Sequence, residues 1–273
     1  MKIYFLTEFA FHPSFLVKNC LDTLGDLPEF GGILIRNPKK NSKLEVVKNF
    51  ENNTRFYESY YGTLSSSELA MLDLYGDPDY YISPSSKVHF IERNLNSDQA
   101  LSQVRDIIDI RENEKVFILV FLDTILRESW IDFSKGNLVN AHSAVLPYAR
   151  GMHAIEQVVA NGKSDEIMKV SGATVHYIDS GVDTGPIIYA ERILNPFQYK
   201  SIWHLKAACY MLSFKLLLKV ANDLMSNPNT LPVGTIVASD ILGPNYLKKD
   251  FSSDLQKTAE NSFLKFYQKK FDD

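Results

Sequence analysis

Apolar positions up to about residue 226 fall by turns into runs of strand length and stretches of helical spacing. Lys2 to Phe9, rich in β-branched and aromatic residues, predicts a first strand. His12 to Leu27 carries Phe15, Leu16, Cys20, Leu21 and Leu24 at helical spacing and predicts a helix. Phe30 to Ile35 reads as a second strand. The stretch from Arg36 to about Ser86 is polar and irregular, with one helix expected over Ser65 to Leu74, where Ser65 and Glu68 have capping-box spacing. Val88 to Ile91 reads as a short strand, and Ser97 to Ile110 as a helix introduced by Ser97 or Asp98.

Lys115 to Leu122 is nearly continuous in apolar residues, as suits a strand buried on both faces of a parallel sheet. Leu138 to His142 predicts the next strand, and Ala154 to Asn161 a helix stopped by Asn161-Gly162. Two further strands, Ala173 to Ile178 and Pro186 to Ile193, flank the loop DSGVDTG. Ser201 to Met225 reads as a long helix. This alternation predicts an α/β sheet layered by helices. From Asn227 the pattern changes to turn signals (NPNTLPVG) and a charged helical end, Ser252 to Lys270. Residues 1–226 are therefore expected to form one domain, with 227–273 an extension.

Composition narrows the function classes. The 273 residues are 45% hydrophobic and 23% charged, which is ordinary globular composition. A net charge of −4 gives no support for nucleic acid or an anionic membrane as the principal partner. Cys20 and Cys209 are far apart and lack C-x-x-C spacing, so they read as buried thiols in a reducing compartment. No run approaches the roughly 18 apolar residues of a membrane span. A cytoplasmic protein is the expectation. The chain lacks G-x-G-x-x-G, a Walker A loop, G-x-S-x-G and H-E-x-x-H, and its six histidines show no close pair of ligand spacing. No metal site is expected.

The candidate chemistry lies in GNLVNAHSAVLPYARG, residues 136–151. Residues i and i+2 of a strand point to the same side, so Asn140 and His142 stand together at a strand end. Taken singly, each has a structural explanation. A lone histidine there is more often hydrogen-bonded structure than catalyst, and Asn140 could cap the following turn. Asp183 in DSGVDTG could be a turn residue. Together with that loop, however, the stretch resembles the two signature segments of the folate-dependent formyltransferases. The resemblance rests on Asn140, His142, Leu146, Pro147, Gly151 and Asp183, in the order that superfamily shows. A third segment, VFLDTILRESWI, resembles the stretch that receives the pterin ring of the folate.

The resemblance implies a Rossmann-like, mostly parallel sheet flanked by helices, the formyltransferase fold. It also implies Asn140, His142 and Asp183 as the catalytic group. N10-formyltetrahydrofolate would be the formyl donor, held by Asp123, Thr124, Ile125, Leu126 and Val182. Arg150, Gly151 and His153 are candidates for contact with the acceptor. The chemistry is consistent with those roles. A tetrahedral adduct needs an oxyanion donor, which Asn140 or a protonated His142 supplies. An imidazole moves protons near neutrality, and Asp183 can orient it. His176 reads as packing or support within its strand.

Departures from the superfamily pattern shape the acceptor. Ser143 and Ala144 stand where the superfamily has Pro and Ser, and Asp123-Thr124 where it has Met-Arg. The segment KSDEIMKVS, residues 163–171, is longer than expected. TEFAFHPS after the first strand lacks the glycines of a phosphate cradle, which disfavours a purine-synthesis acceptor. An acidic chain with a short tail disfavours tRNA. The expected acceptor is a small-molecule amine, foremost a nucleotide-linked amino sugar, for whose base Phe56, Tyr57, Tyr60, Tyr61, Tyr75, Tyr80 and Tyr81 could offer a stacking surface. A hydroxyornithine-type amino acid, a formyltetrahydrofolate hydrolase and a non-catalytic folate binder are the alternatives. Self-association into a homodimer stays open.

Overall fold

The computed structural model describes residues 1–38, 64–78, 87–108 and 115–269. Its described strands include β1 (Lys2–Glu8), β2 (Phe30–Arg36), β3 (Val88–Ile91), β4 (Val116–Phe121), β5 (Leu138–His142), β6 (Arg150–Gly151), β7 (Gly172–Tyr177), β8 (Ile187–Arg192) and β9 (Asn245–Tyr246). The helices are α1 (Phe11–Leu24), α2 (Ser66–Tyr75), α3 (Asp98–Ile107), α4 (Glu128–Phe133), α5 (Ala154–Ala160), α6 (Ser164–Val170), α7 (Ile202–Ser226) and α8 (Ser253–Lys269). Seven strands form a sheet in the order β3-β2-β1-β4-β5-β7-β8, and β6 pairs with β9. The pairings of β1 with β2 and β4, of β2 with β3 and of β4 with β5 are parallel, whereas β7 and β8 are antiparallel. The expected α/β class and mostly parallel sheet are what the chain adopts.

The chain divides into two compact units. The first comprises Met1–Ser65, Tyr75–Asn140 and Leu218–Leu231. At its centre every residue of β4 is buried, as a strand apolar on both faces requires. Phe5, Leu6, Ile33, Leu34, Phe117 and Leu119 are fully enclosed. Trp130 on α4 is also sealed, and its indole N–H donates to the Leu95 carbonyl at 2.8 Å. Ser97 caps α3 by accepting from the Ala100 amide at 3.2 Å, a contact worth about 1 kcal/mol. Helix α1 stops at Leu24 rather than Leu27, because Gly25 and the turn before Pro28 end it.

The second unit comprises Ser66–Leu74, Ala141–Leu217 and Pro232–Asp273. Its core gathers Ile155, Val158 and Val159 of α5, Ile167 and Val170 of α6, Leu205 and Cys209 of α7, and Ala259 and Phe263 of α8. The long segment 163–171 is thus mostly helix α6, docked through Ile167 and Val170. Both cysteines are free and buried, and burial pushes the Cys209 thiol up to about 12, which leaves it unreactive. Glu156 and Lys206 form an enclosed ion pair at 3.2 Å. Burial favours the neutral form of each, but their mutual attraction prevails, holding Glu156 at about 2 and Lys206 at about 12. Among the described residues no helix is long and apolar enough to cross a membrane.

Candidate active site

His142 closes β5, and the turn after it is held by a residue on another strand. The Thr174 hydroxyl donates to the Ala144 carbonyl and accepts from the Leu146 amide, each at 2.9 Å. Thr174 thus satisfies two backbone groups of that turn. The Leu146–Pro147 peptide is cis.

Asp183 lies in the loop between β7 and β8 with φ +51°, a left-handed conformation that aspartate tolerates better than most residues. Asp179 fixes that loop, its carboxylate accepting from the Gly181 amide at 3.0 Å and the Thr184 hydroxyl at 2.7 Å. Asp183 Oδ2 is 3.5 Å from His142 Nδ1, a charge contact longer than a good hydrogen bond. Its Oδ1 lies 3.4 Å from His176 Nε2. The Gly151 amide donates to Oδ2 at 2.7 Å. Gly151 has φ +83°, and a Cβ there would lie 2.1 Å from the Tyr246 carbonyl oxygen, so only glycine brings its amide to this place.

These contacts set the charges. Burial alone would raise the Asp183 carboxyl, but the two imidazoles and the Gly151 amide outweigh it and hold the group well below the usual carboxylate range. Burial lowers His142 more than Asp183 raises it, so the imidazole is uncharged at neutral pH. Its Nε2 faces the Ala149 carbonyl at 3.1 Å, and its Nδ1 faces Asp183. A neutral ring can donate to only one of these acceptors, whereas a ring that has taken up a proton donates to both. The arrangement leaves His142 uncharged at rest with a place prepared for its proton.

The predicted pair of His142 and Asp183 thus meets, and Asn140 lies half-buried two residues before His142 on β5. His176 is a residue the sequence reading left in a supporting role; its other nitrogen, Nδ1, donates to the Tyr177 carbonyl at 2.8 Å. The available signal was its spacing from Thr174, two residues earlier on one strand. Arg150 is pinned by backbone carbonyls, Nε donating to Gly243 at 3.0 Å and Nη1 to Val182 at 3.2 Å. His153 precedes α5 in a left-handed conformation, 3.3 Å from Glu156 and stacked on Phe251 at 4.4 Å between ring centres.

Of the loop after β4, Leu126 is buried and Ile125 is two-thirds exposed. Asp123 Oδ1 accepts from Arg36 at 2.6 Å and from the Thr124 hydroxyl at 3.0 Å. Of the aromatic residues between 56 and 81, Tyr75 is described, packed edge-on against Phe15. Phe56, Tyr57, Tyr60, Tyr61, Tyr80 and Tyr81 lie outside the described residues. Among the described residues no group of three or more His, Cys, Asp and Glu side chains is placed to hold a metal.

Residues 76–196 match the family model described as formyl transferase. The chain is 28% identical over 132 residues to methionyl-tRNA formyltransferase of Halothermothrix orenii, covering 48% of this chain and 38% of that protein. It is 43% identical over 58 residues to phosphoribosylglycinamide formyltransferase of Bacillus subtilis, covering 21% of this chain and 27% of that protein. The matches thus span well under half the length of these relatives. In fold the chain is similar to a sugar N-formyltransferase from a Shewanella species, at TM-score 0.56 and 13% identity over 97% of this chain and 88% of that one. It is also similar to the N-formyltransferase of Helicobacter canadensis solved with folinic acid and dTDP-3-aminofucose, at TM-score 0.54 and 14% identity over 97% and 81%.

Proposed function

We propose that this protein transfers a formyl group from N10-formyltetrahydrofolate to the amine of a small molecule, and that the acceptor is a nucleotide-linked amino sugar. The observation that carries the transfer is the buried, ionised Asp183 beside an uncharged His142. The amine must shed a proton on attack, and His142 is the base prepared to receive it. Asp183 orients the imidazole and favours its charged form, with His176 behind it. Asn140 is assigned to the oxyanion that develops on the formyl carbon. When bound, the folate supplies that formyl group on a nitrogen. Residues 123–126 and Val182 are read as its holders, and Arg150, Gly151 and His153 as facing the acceptor.

The acceptor class is supported by the likeness in fold to proteins described as sugar N-formyltransferases. It is supported also by the lack of a glycine-rich phosphate loop after β1. Residues 1–226 are taken as the catalytic domain and 227–273 as its extension. The cytoplasm is proposed as the place of reaction. The test is tetrahydrofolate release from N10-formyltetrahydrofolate, alone and with a panel of amino-sugar nucleotides and hydroxyornithine. Release that requires an amino-sugar nucleotide is expected. Release without any amine would replace the transferase with a hydrolase, and release with hydroxyornithine alone would move the acceptor to amino acids.

A further inference from the structure

At the carboxyl ends of β1, β2 and β4 a single guanidinium joins three side chains. Arg36, 8% exposed, donates through Nη1 to the Thr124 hydroxyl and through Nη2 to both Glu8 and Asp123. Two carboxylates therefore share one enclosed cation, Glu8 largely covered and Asp123 about one-third exposed. The far side of the same loop is also clamped. Asn96 donates from Nδ2 to the Ile125 carbonyl and accepts the Arg127 amide at Oδ1, both at 2.9 Å. Leu126, between these clamps, is 6% exposed. Residues 123–127 are thus fixed at each end by side chains from elsewhere in the chain, before any ligand arrives.

We infer that Arg36 is a positioning residue for donor binding. It holds the Asp123–Arg127 loop in the shape that accepts the pteridine of the folate and keeps the Asp123 carboxylate bound to itself. This rests on the proposed function, which assigns the loop to the donor. The charge balance gives Arg36 its weight. Without it, Glu8 and Asp123 repel one another with no cation between them, and the loop moves to separate them. Arg36 touches none of the reacting groups, so its loss acts on donor affinity and not on the transfer step. Asn96 secures the other end by backbone contacts and carries no charge, so its removal acts in the same direction and more weakly.

The experiment titrates the full chain with 5-formyltetrahydrofolate and measures kcat and KM for N10-formyltetrahydrofolate in four variants: Arg36→Met, Asp123→Asn, their combination, and Asn96→Ala. Arg36→Met is expected to weaken donor binding by about tenfold or more while kcat stays within about threefold, the signature of lost ground-state binding. Adding Asp123→Asn to Arg36→Met is expected to recover part of the affinity, because it removes the repulsion that Arg36 had balanced while altering a residue read as a holder of the donor. Should Arg36→Met not fold, Asn96→Ala carries the test, with a smaller rise in KM at unchanged kcat. Unchanged affinity in both Arg36→Met and Asn96→Ala, or an equal fall of kcat and kcat/KM, would overturn the positioning role while the function stands. Wild-type protein that does not bind 5-formyltetrahydrofolate would overturn the function reading itself and this inference with it.

Discussion

Asp183 and Glu8 are both buried carboxylates with cationic or imidazole neighbours, yet their affinities for a proton shift in opposite directions. Burial raises each of them. At Asp183 two imidazoles and a backbone amide converge on one carboxylate, and the anion wins. At Glu8 burial prevails and the carboxyl is raised: His12 is the chief influence that lowers it, the Asp123 charge repels, and the Arg36 guanidinium is divided with Asp123. Burial acts in the same direction on both carboxyls, and what differs is how fully the surrounding charges and donors offset it.

That contrast can be broken most forcefully at Asp183. Asp183→Asn keeps the shape but removes the charge, and is expected to lower turnover by about 10²–10⁴-fold. The carboxylate raises the proton affinity of His142, so its loss lowers that affinity further. The acid limb of kcat/KM is expected below the ordinary imidazole range in the wild type, because burial lowers His142, and should move to still lower pH in the variant. A limb that stays put or rises in a pH–rate profile would separate Asp183 from His142.

A second test uses the enclosed pair of Glu156 and Lys206, where one acid has one cation to itself. Glu156→Gln leaves Lys206 buried without a counter-charge and should cost about 3–5 kcal/mol in denaturant unfolding at neutral pH. Glu156 is held at about 2, so its stabilising effect is present above the ordinary glutamate range and fades as pH falls toward 2. The acid limb of the stability curve should shrink accordingly in the variant. The smallest effect is expected at Glu8. Its carboxyl is raised, so the folded state binds a proton more tightly than the unfolded one, and its contribution to stability weakens as pH rises above about 4.3. Glu8→Gln should flatten that dependence and leave neutral-pH stability within about 1 kcal/mol of wild type, or above it. A large loss of stability would mean that Glu8, like Asp183, is held as a needed anion.

Much of the sheet was legible because its signals are local. The apolar run at 115–122 could hardly be other than a strand enclosed on both faces, and Ser97 announced the start of its helix. Helix α6 was missed because only Ile167 and Val170 mark its buried face, among charged neighbours. Strands β6 and β9 span two residues each and exist only through one another, which no local pattern encodes. At the site, His142 and Asp183 were readable from the motifs. The approach of His176 depends on how β7 meets the following loop, and the pairing of Asp123 with Arg36 depends on three strands ending together. Both are long-range facts written in no single stretch of residues.

Residues 243–247 reach back to the segment that carries the Gly151 amide. The Arg150 amide donates to Pro244, the Met152 amide to Tyr246 and the Arg150 side chain to Gly243, a contact spanning 93 positions. During synthesis, therefore, His142, Asp183 and Gly151 leave the ribosome well before the strand that seats Gly151 beside Asp183. The Gly151 segment is therefore translated about 90 residues before the stretch that clasps it, and a nascent polypeptide halted ahead of residue 243 lacks the backbone bonds that hold Arg150 and Met152 on either side of Gly151.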